Sequence, residues 1–238
     1  MKPEFTAKQY EEAFQKERAQ KYPEIDDFVK EFPIDKNLLE SAARVLACPV
    51  KKNPPNWQHG RVIYAAVRDY AARTRRTGRP QQFLDIGTAK GFSALCMLWA
   101  AKDAQLPVKI TSVDVIDPEG IERRNTVAEV TGPVTLHQIL DSWPESREIE
   151  FKKSTGIDWL EKHPNDRVHF AFVDGKHSYE TVKKEANLLT IRQSPGDMIV
   201  FDDVQIEGVA QAVGELSRYR VRMLEAKDIR SYAIAERV

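Results

Sequence analysis

The chain has 238 residues, of which 42% are hydrophobic and 30% charged, a composition typical of one large globular domain with at most a small appendage. Its 36 basic residues balance 36 acidic ones, so the overall charge gives no reason to expect nucleic acid or an anionic membrane as a partner. Because the sequence shows no signal peptide, no run of about 20 apolar residues and no disulfide framework, we expect a cytoplasmic protein with reduced thiols at Cys48 and Cys96.

The N-terminal quarter of the chain is polar and rich in proline. Residues 6–20 are predicted to form a helix whose apolar stripe consists of Tyr10 and Phe14, and so thin a stripe buries little on its own. This helix is either a cap packed on the main domain or an arm that contacts a second subunit in a homodimer. Between the prolines that follow, one helical pattern covers residues 35–47. We therefore interpret residues 1–60 as an N-terminal helical extension.

From residue 61 onwards, helical patterns and short apolar strands alternate, beginning with an amphipathic helix at 61–74. Strands are predicted at 82–86, 108–115, 149–153, 168–174, 198–201, 219–225 and 231–237, with helices at 92–103, 118–130, 157–162, 178–191 and 207–217. This alternation predicts a Rossmann-like α/β fold, with a mostly parallel seven-stranded sheet and helices on both faces. The last two strands are joined too closely for a parallel crossover, so they must form a C-terminal antiparallel hairpin.

Residues 131–148 fit none of these repeating units within the domain at 61–238. The segment from Thr135 to Leu140 is predicted to form a short helix inserted before the third strand. The insertion is a candidate lid over a site at the carboxyl ends of the strands, where open α/β sheets bind their ligands.

The first of those strand ends carries a glycine-containing turn, Asp-Ile-Gly-Thr-Ala-Lys-Gly-Phe-Ser, which begins at Asp85. Gly87 permits a tight turn, Gly91 lets the next helix begin close by, and the N–H groups at that helix start suit an anionic group. A dinucleotide site needs Gly-x-Gly-x-x-Gly, whereas Ala89 stands in the middle position, so an NAD-dependent oxidoreductase is disfavoured. The interpretations left are a site for a ligand with a carboxylate or amine and a turn that binds nothing.

The second strand also ends in an acidic residue, Asp114. A carboxylate in this place can hold both hydroxyls of a ribose, and the alternative is a solvated aspartate in a turn. Ser154, Thr155 and Gly156 follow the third strand, where small polar groups can meet the edge of an adenine. Together, the loop and Asp114 favour a ligand that carries a nucleoside.

With these motifs, residues 60–238 resemble the class I S-adenosylmethionine-dependent methyltransferases. The resemblance is greatest to the small-molecule O-methyltransferases of the catechol type and of the bacterial type that modifies sugars and antibiotics. It implies that S-adenosylmethionine is the cofactor, that the glycines line its methionine moiety and that Ser93 reaches its carboxylate. The cofactor-binding residues implied in this way are Asp85, Gly87, Thr88, Gly91, Ser93, Asp114, Ser154, Thr155 and Asp174.

Two further strand ends are acidic, with Asp174 after the fourth strand and Asp202 and Asp203 after the fifth. Neighbouring parallel strands lie about 5 Å apart, so these carboxylates can converge, and converging like charges repel unless a cation intervenes. Oxygen ligands favour a hard ion such as Mg²⁺. In the O-methyltransferases that the chain resembles, this arrangement holds a divalent ion that lowers the pKa of the acceptor hydroxyl. The resemblance therefore implies a Mg²⁺ site at Asp174, Asp202 and Asp203.

His177 stands three residues after Asp174, where the same relatives place a general base. An imidazole can take the hydroxyl proton as the oxygen attacks the methyl group, so His177 and Asp174 are the predicted catalytic residues. The alternative is a histidine that caps a helix. Lys176 departs from several relatives, which carry an acidic residue there, and an inward ammonium would weaken metal binding. One of Asp202 and Asp203 can instead cap the turn that follows.

The sequence thus predicts methyl transfer from S-adenosylmethionine to a hydroxyl of a small molecule, assisted by a divalent metal and a histidine base. The alternative is a relative that binds S-adenosylmethionine but has altered or lost methyl transfer, as in a regulatory or hydroxylase-like protein. Trp57 and His59 are candidates either for the wall of the acceptor pocket or for ordinary packing. No motif identifies the acceptor.

Overall fold

The residues described by the computed structural model, 7–47, 56–74, 78–121, 134–226 and 230–238, form one seven-stranded sheet. The strands are β1 (Gln81–Ile86), β2 (Val108–Asp114), β3 (Ile149–Lys153), β4 (Phe170–Val173), β5 (Met198–Phe201), β6 (Tyr219–Ala226) and β7 (Arg230–Arg237). Each lies within two residues of its predicted bounds. The central strands are fully or almost fully buried along their length, which explains why they are continuous apolar runs rather than alternating patterns.

The strand order is β3-β2-β1-β4-β5-β7-β6, and the pairs from β3 through β5 are parallel. β7 lies antiparallel to both β5 and β6, which confirms the predicted C-terminal hairpin. The chain moves outwards from β1 through β2 to β3 and then returns to β4 on the other side of β1. The strand order therefore reverses between β1 and β4, the place where open α/β sheets bind their ligands.

The helices cover both faces of the sheet, as predicted. They are α1 (Ala7–Ala19), α2 (Pro23–Phe28), α3 (Lys36–Leu46), α4 (Gln58–Arg73), α5 (Phe92–Asp103), α6 (Leu136–Ile139), α7 (Gly156–Lys162), α8 (Tyr179–Thr190) and α9 (Glu207–Gly214). Two short 3-10 turns, Leu140–Ser142 and Pro144–Glu148, follow α6. Most of the helix predicted at 118–130, and Cys48, lie outside the described residues. The described part of that helix, residues 118–121, is a turn instead.

Two elements differ from the sequence-based expectation at the N-terminal side. The six-residue helix α2 was not predicted, since one and a half turns are too short to show a period, although Pro23 at its first position is a typical start signal. Helix α4 begins at Gln58 rather than at residue 61, so it runs across the expected boundary at residue 60.

The helices α1 to α5 share one buried apolar cluster on one face of the sheet, and α7 to α9 share another on the opposite face. Polar contacts support the first cluster: the Tyr22 hydroxyl donates to the Glu17 carboxylate, and Gln58 Nε2 donates to the same group at 3.0 Å. The insertion packs on α5, where Trp99 Nε1 donates to Glu145 at 2.8 Å. None of the helices in the described ranges is long and apolar enough to cross a membrane.

Candidate functional site

The carboxyl ends of β1 and β4 are brought into direct contact by Gly87. This residue has a φ of +105°, and a Cβ built on it would lie 2.1 Å from the main-chain oxygen of Asp174. Both facts exclude a side chain at this position, because L-residues avoid this conformation and the backbone of Asp174 leaves no space. Gly87 also donates its N–H to the Val113 carbonyl at 2.9 Å, so the turn is held from both neighbouring strands.

The rest of the glycine loop is fixed by its own short hydrogen bonds. The Gly91 N–H donates to the Thr88 carbonyl at 2.6 Å, and the Thr88 and Ser112 hydroxyls lie 2.6 Å apart. Gly91 has a φ of +82° and stands directly before α5. Its nearest contact outside the loop is Leu140 of the insertion, whose Cδ1 would lie 3.2 Å from a Cβ at Gly91. The insertion therefore borders the predicted methionine-binding loop.

Asp114 connects the end of β2 to this loop. Its Oδ2 accepts the N–H of Ala89 at 2.8 Å, and its Oδ1 accepts the N–H of Ile116 at 2.9 Å. The side chain is half-buried, and each carboxylate oxygen keeps further acceptor capacity for a ligand hydroxyl. These features fit the ribose-binding role that the resemblance implies.

The loop after β3 lies next to Asp114, because the Ser154 N–H donates to the Asp114 carbonyl at 2.8 Å. Thr155 caps α7, since its hydroxyl accepts the N–H of Asp158 at 3.0 Å. Ser154 is half-buried and Thr155 exposed. The predicted adenine-binding residues thus stand beside the predicted ribose-binding residue.

Asp85 lies beneath the glycine loop rather than on the surface of the site. Its side chain is completely buried, and the Ser112 hydroxyl donates to it at 2.5 Å. Burial raises the pKa of Asp85 to about 7, and the hydroxyls of Ser112 and Ser93 oppose that rise. With no exposed atoms, Asp85 supports the loop from below, which differs from the direct cofactor contact expected for it. Ser93 is also buried, with 5% of its surface exposed.

The predicted acid–base pair is assembled. His177 Nε2 lies 3.1 Å from Asp174 Oδ1 and 3.6 Å from Asp203 Oδ2. The hydrogen bond with Asp174 raises the pKa of His177 above its usual value, and partial burial opposes this shift. An imidazole held in this way by a carboxylate can accept a proton through its other ring nitrogen.

Asp202 pairs with an arginine, Arg230, that carries no sequence motif. Asp202 is buried, with 1% of its surface exposed, and its Oδ2 lies 3.1 Å from Arg230 Nη2. Arg230 Nε also donates to Asp203 Oδ1 at 3.0 Å. Only the sheet topology could have located Arg230 here, since β7 runs antiparallel to β5 and its first residue must lie where β5 ends.

The expected Mg²⁺ set of Asp174, Asp202 and Asp203 is therefore not assembled. Ligand atoms of Asp174, His177 and Asp203 do lie within 4.8 Å of one another. In this arrangement His177 Nε2 shares a proton with Asp174 instead of offering a lone pair to an ion, and Arg230 compensates one of the two negative charges of Asp202 and Asp203. As they stand, the residues do not fit a divalent cation held by the three predicted carboxylates. Lys176 is exposed, so its ammonium is not the cause of this misfit.

Of the two candidates for the acceptor pocket, His59 reaches the site and Trp57 does not. His59 Nδ1 lies 3.3 Å from Arg230 Nη1, and the His59 ring stacks on Phe172 with 6.2 Å between centroids. Trp57 is buried and stacks on Phe14 at 4.5 Å, which is ordinary packing between α1 and the start of α4.

A further buried acid, Glu185 of α8, lies below the loop after β3. A Cβ built on Gly156 would lie 2.5 Å from Glu185 Oε1, and Glu185 Oε2 has no hydrogen-bond partner among the described residues. Burial raises the pKa of Glu185 to about 7. The helical pattern alone did not predict its burial, since an acid in an amphipathic helix is expected to face solvent.

Comparisons with known proteins agree with this fold. A family profile described as a methyltransferase domain matches residues 84–204, just over half of the chain. The crystal structure of an O-methyltransferase from Bacillus cereus in complex with S-adenosylhomocysteine superposes with a TM-score of 0.58, at 11% identity, over 98% of this chain and 100% of that chain. The S-adenosylhomocysteine-bound methyltransferase PaMTH1 from Podospora anserina gives 0.58 at 13% identity, over 91% and 94%.

An uncharacterized protein of Sinorhizobium fredii, y4gI, is 27% identical over 150 residues, which are 60% of this chain. The chain spans only 16% of the length of that relative. The family match and the strand order lead to the same assignment. The chain belongs to the methyltransferase domain family and has the fold of the class I S-adenosylmethionine-dependent methyltransferases, which the small-molecule O-methyltransferases share.

Proposed function

We propose that the protein transfers a methyl group from S-adenosylmethionine to a hydroxyl of a small molecule, with His177 as the general base. The observation that carries the proposal is the contact between His177 Nε2 and Asp174 Oδ1 at 3.1 Å, because the main chain of Asp174 also lies directly against Gly87 in the predicted cofactor loop. S-adenosylmethionine supplies an electrophilic methyl group on a sulfonium. The remaining task, removal of the hydroxyl proton, falls to this chain's own residues.

One ring nitrogen of His177 binds Asp174, and the other is available to accept the proton. With its Nε2–H donating to Asp174, the lone pair is on Nδ1, and Nδ1 accepts the proton of the acceptor hydroxyl. The bond from oxygen to the methyl carbon forms as the bond from sulfur to that carbon breaks. Asp174 then stabilises the imidazolium, because its charge lies opposite the protonated ring. The products are a methyl ether and S-adenosylhomocysteine, and the proton remains on His177 until solvent takes it.

Positioning accounts for much of the expected rate acceleration. Gly87 and Asp174 touch, so the loop expected to hold the methyl donor and the residue that orients the base are fixed relative to each other. Asp114 fixes the other end of the loop through Ala89. Holding donor, acceptor and base in line is worth several powers of ten in rate before any proton moves.

The competing proposal is a protein that binds S-adenosylmethionine without methyl transfer. It drew its support from Lys176, whose ammonium was expected to disturb the site. Since the Lys176 side chain is exposed, that support is absent, and the paired His177 and Asp174 favour catalysis.

The test combines binding with turnover. Calorimetry should detect S-adenosylmethionine, and release of S-adenosylhomocysteine should be measured with a panel of small phenols, catechols and sugars. His177→Ala should lower turnover by about 10²- to 10⁴-fold and leave cofactor binding intact. His137→Ala, at an exposed histidine of the insertion, is the matched control and should match the wild type.

Absence of S-adenosylmethionine binding would sink the proposal as a whole. Binding without turnover on any acceptor of the panel would favour the competing proposal. Full turnover by His177→Ala would refute the assignment of the base alone.

A further inference from the structure

Arg230 occupies the place in this site where a positive charge is needed. Its side chain is 18% exposed, and it meets Asp202 Oδ2 through Nη2 at 3.1 Å and Asp203 Oδ1 through Nε at 3.0 Å. Its third nitrogen, Nη1, lies 3.3 Å from His59 Nδ1. The guanidinium therefore contacts residues from the end of β5 and from the start of α4.

The contacts of Arg230 matter because negative charges are concentrated at this end of the sheet. Three carboxylates, Asp174, Asp202 and Asp203, are crowded at the ends of β4 and β5, and Asp202 is sealed from solvent. A buried carboxylate without a cation or proton is costly, so such a group of charges needs an internal partner. Arg230 supplies one positive charge from within the chain, beside Asp202 and Asp203, and His177 lies against Asp174 and Asp203.

The backbone holds Arg230 in this place. β7 runs antiparallel to β5, with Phe201 opposite Ala233, so the beginning of β7 must meet the end of β5. The Val204 N–H donates to the Ser231 carbonyl at 2.9 Å, and the Ser231 N–H donates to Gln205 Oε1 at 2.7 Å. The arginine is thus fixed by its own strand and by the turn after β5, unlike a mobile cation at the protein surface.

We propose that the guanidinium of Arg230 replaces the divalent cation expected from the resemblance, so that this chain assembles its site and transfers methyl groups without a metal. The inference rests on the proposed function. Arg230 is a positioning residue: it fixes Asp203 through Oδ1, and Asp203 Oδ2 faces His177 Nε2 at 3.6 Å. The arginine therefore acts on the base through a carboxylate rather than by contact with the acceptor.

The test measures metal binding directly, with Mn²⁺ as the probe because its free aqueous form gives an EPR signal that is lost on binding. The wild type should leave Mn²⁺ free at concentrations on the order of 1 mM. Arg230→Met removes the cation and leaves the carboxylates, so it should bind Mn²⁺ at least about tenfold more tightly than the wild type. Arg230→Lys keeps the charge and should bind no more than the wild type.

Two matched variants locate the effect. Arg222→Met removes an arginine from β6, where it pairs with exposed Asp27, and should gain no Mn²⁺ binding. Adding Asp202→Asn to Arg230→Met should abolish the gained binding, because it removes one ligand of the vacated site. A loss of fold would not produce this reversal. If Arg230→Met does not fold, the measurement is made on Arg230→Gln instead. Glutamine keeps a polar donor and removes the charge.

Binding of Mn²⁺ by the wild type that Asp203→Asn abolishes would overturn the proposal. A folded Arg230→Met with no gain would overturn it too. Methyl transfer by the wild type should persist in EDTA, and its loss there with recovery on added Mg²⁺ would again contradict the proposal. Because Mn²⁺ binding is read without turnover, a protein that transfers no methyl group would refute the proposed function and leave the metal result readable.

Discussion

Asp114 and Ala89 are joined by a hydrogen bond of 2.8 Å from the Ala89 N–H to Asp114 Oδ2. Ala89 has a φ of +45°, an unusual conformation for a residue with a side chain. The carboxylate that is expected to bind the ribose therefore also stabilises the bend of the loop that is expected to bind the methionine moiety. The two parts of the predicted cofactor site are coupled through one side chain.

Asp114→Asn should weaken S-adenosylhomocysteine binding by about 10- to 100-fold, which corresponds to roughly 1.5–3 kcal/mol. The amide replaces one acceptor oxygen with a donor, so either Ala89 or Ile116 loses its acceptor and the negative charge is removed. Calorimetry gives the dissociation constant. Asp158→Asn, at an exposed residue of α7, is the control, and an equal affinity of both variants would exclude this role for Asp114.

Gly87→Ala should destabilise the fold more than Gly196→Ala. Both glycines have strongly positive φ, +105° and +92°, so both variants carry the conformational cost of about 1–2 kcal/mol for an L-residue. Only Gly87 adds a clash, at 2.1 Å from the Asp174 oxygen, whereas a Cβ on Gly196 meets nothing within 4 Å. Urea unfolding measures both losses, and equal losses would show that the close approach to Asp174 is easily relaxed.

The pH dependence of methyl transfer should follow His177. The base must be neutral, and Asp174 raises the pKa of His177. We therefore expect kcat/KM to keep rising with pH beyond the pKa range of an ordinary histidine. Asp174→Asn removes the hydrogen bond to the charged form and should move this acid limb to lower pH. NMR titration of the His177 ring measures the same shift without turnover.

His169 provides an internal control in those spectra. It stands at the other end of β4, and burial lowers its pKa. Its titration should be unchanged in Asp174→Asn. A His177 titration that is also unchanged would contradict the pairing with Asp174.

Glu185→Gln should stabilise the protein at pH 8 and have little effect near pH 4. Burial raises the folded-state pKa of Glu185 from 4.5 to about 7, so between these values the native state keeps a proton that the unfolded state releases. Wild-type stability therefore falls as pH rises through this window, by on the order of 3 kcal/mol from this group. Glutamine does not titrate, so the variant does not lose this stability as the pH rises.

Urea unfolding at several pH values tests this expectation. Glu180→Gln, at an exposed position of the same helix, should keep the wild-type dependence on pH. If Glu185→Gln also keeps that dependence, Glu185 is ionised in the folded protein and has a partner that compensates its charge.

The sequence predicted the sheet and the cofactor loop because both depend on local signals. Apolar runs separated by helical periods locate the strands, and a glycine pair after an acidic strand end locates the loop. Asp114 could be assigned because its place at the end of a parallel strand follows from strand order alone. Asp85 is at the same kind of position, yet its complete burial depends on the packing of Ser112 beneath the loop.

The contacts of the acidic pair could not be predicted, because they depend on tertiary pairing. Asp202 and Asp203 are adjacent, and the left-handed φ of +54° at Asp203 turns one towards His177 while the other stays buried. Arg230 comes from a hairpin turn without a motif, and its place follows only from the register between β5 and β7. The resemblance implied a metal at these carboxylates, and no local signal in the sequence showed the arginine that lies beside them.

Helix α4 belongs to both the N-terminal segment and the catalytic edge of the sheet. Its first turn bonds Glu17 through Gln58 and Asp26 through Arg61, and His59 of the same turn lies against Arg230. Exchanging the N-terminal helices between homologues to alter acceptor choice would therefore require a junction after α4, so that Glu17 and Asp26 keep their partners Gln58 and Arg61. A graft cut at residue 60 would divide α4 between two parents and separate Asp26 from Arg61.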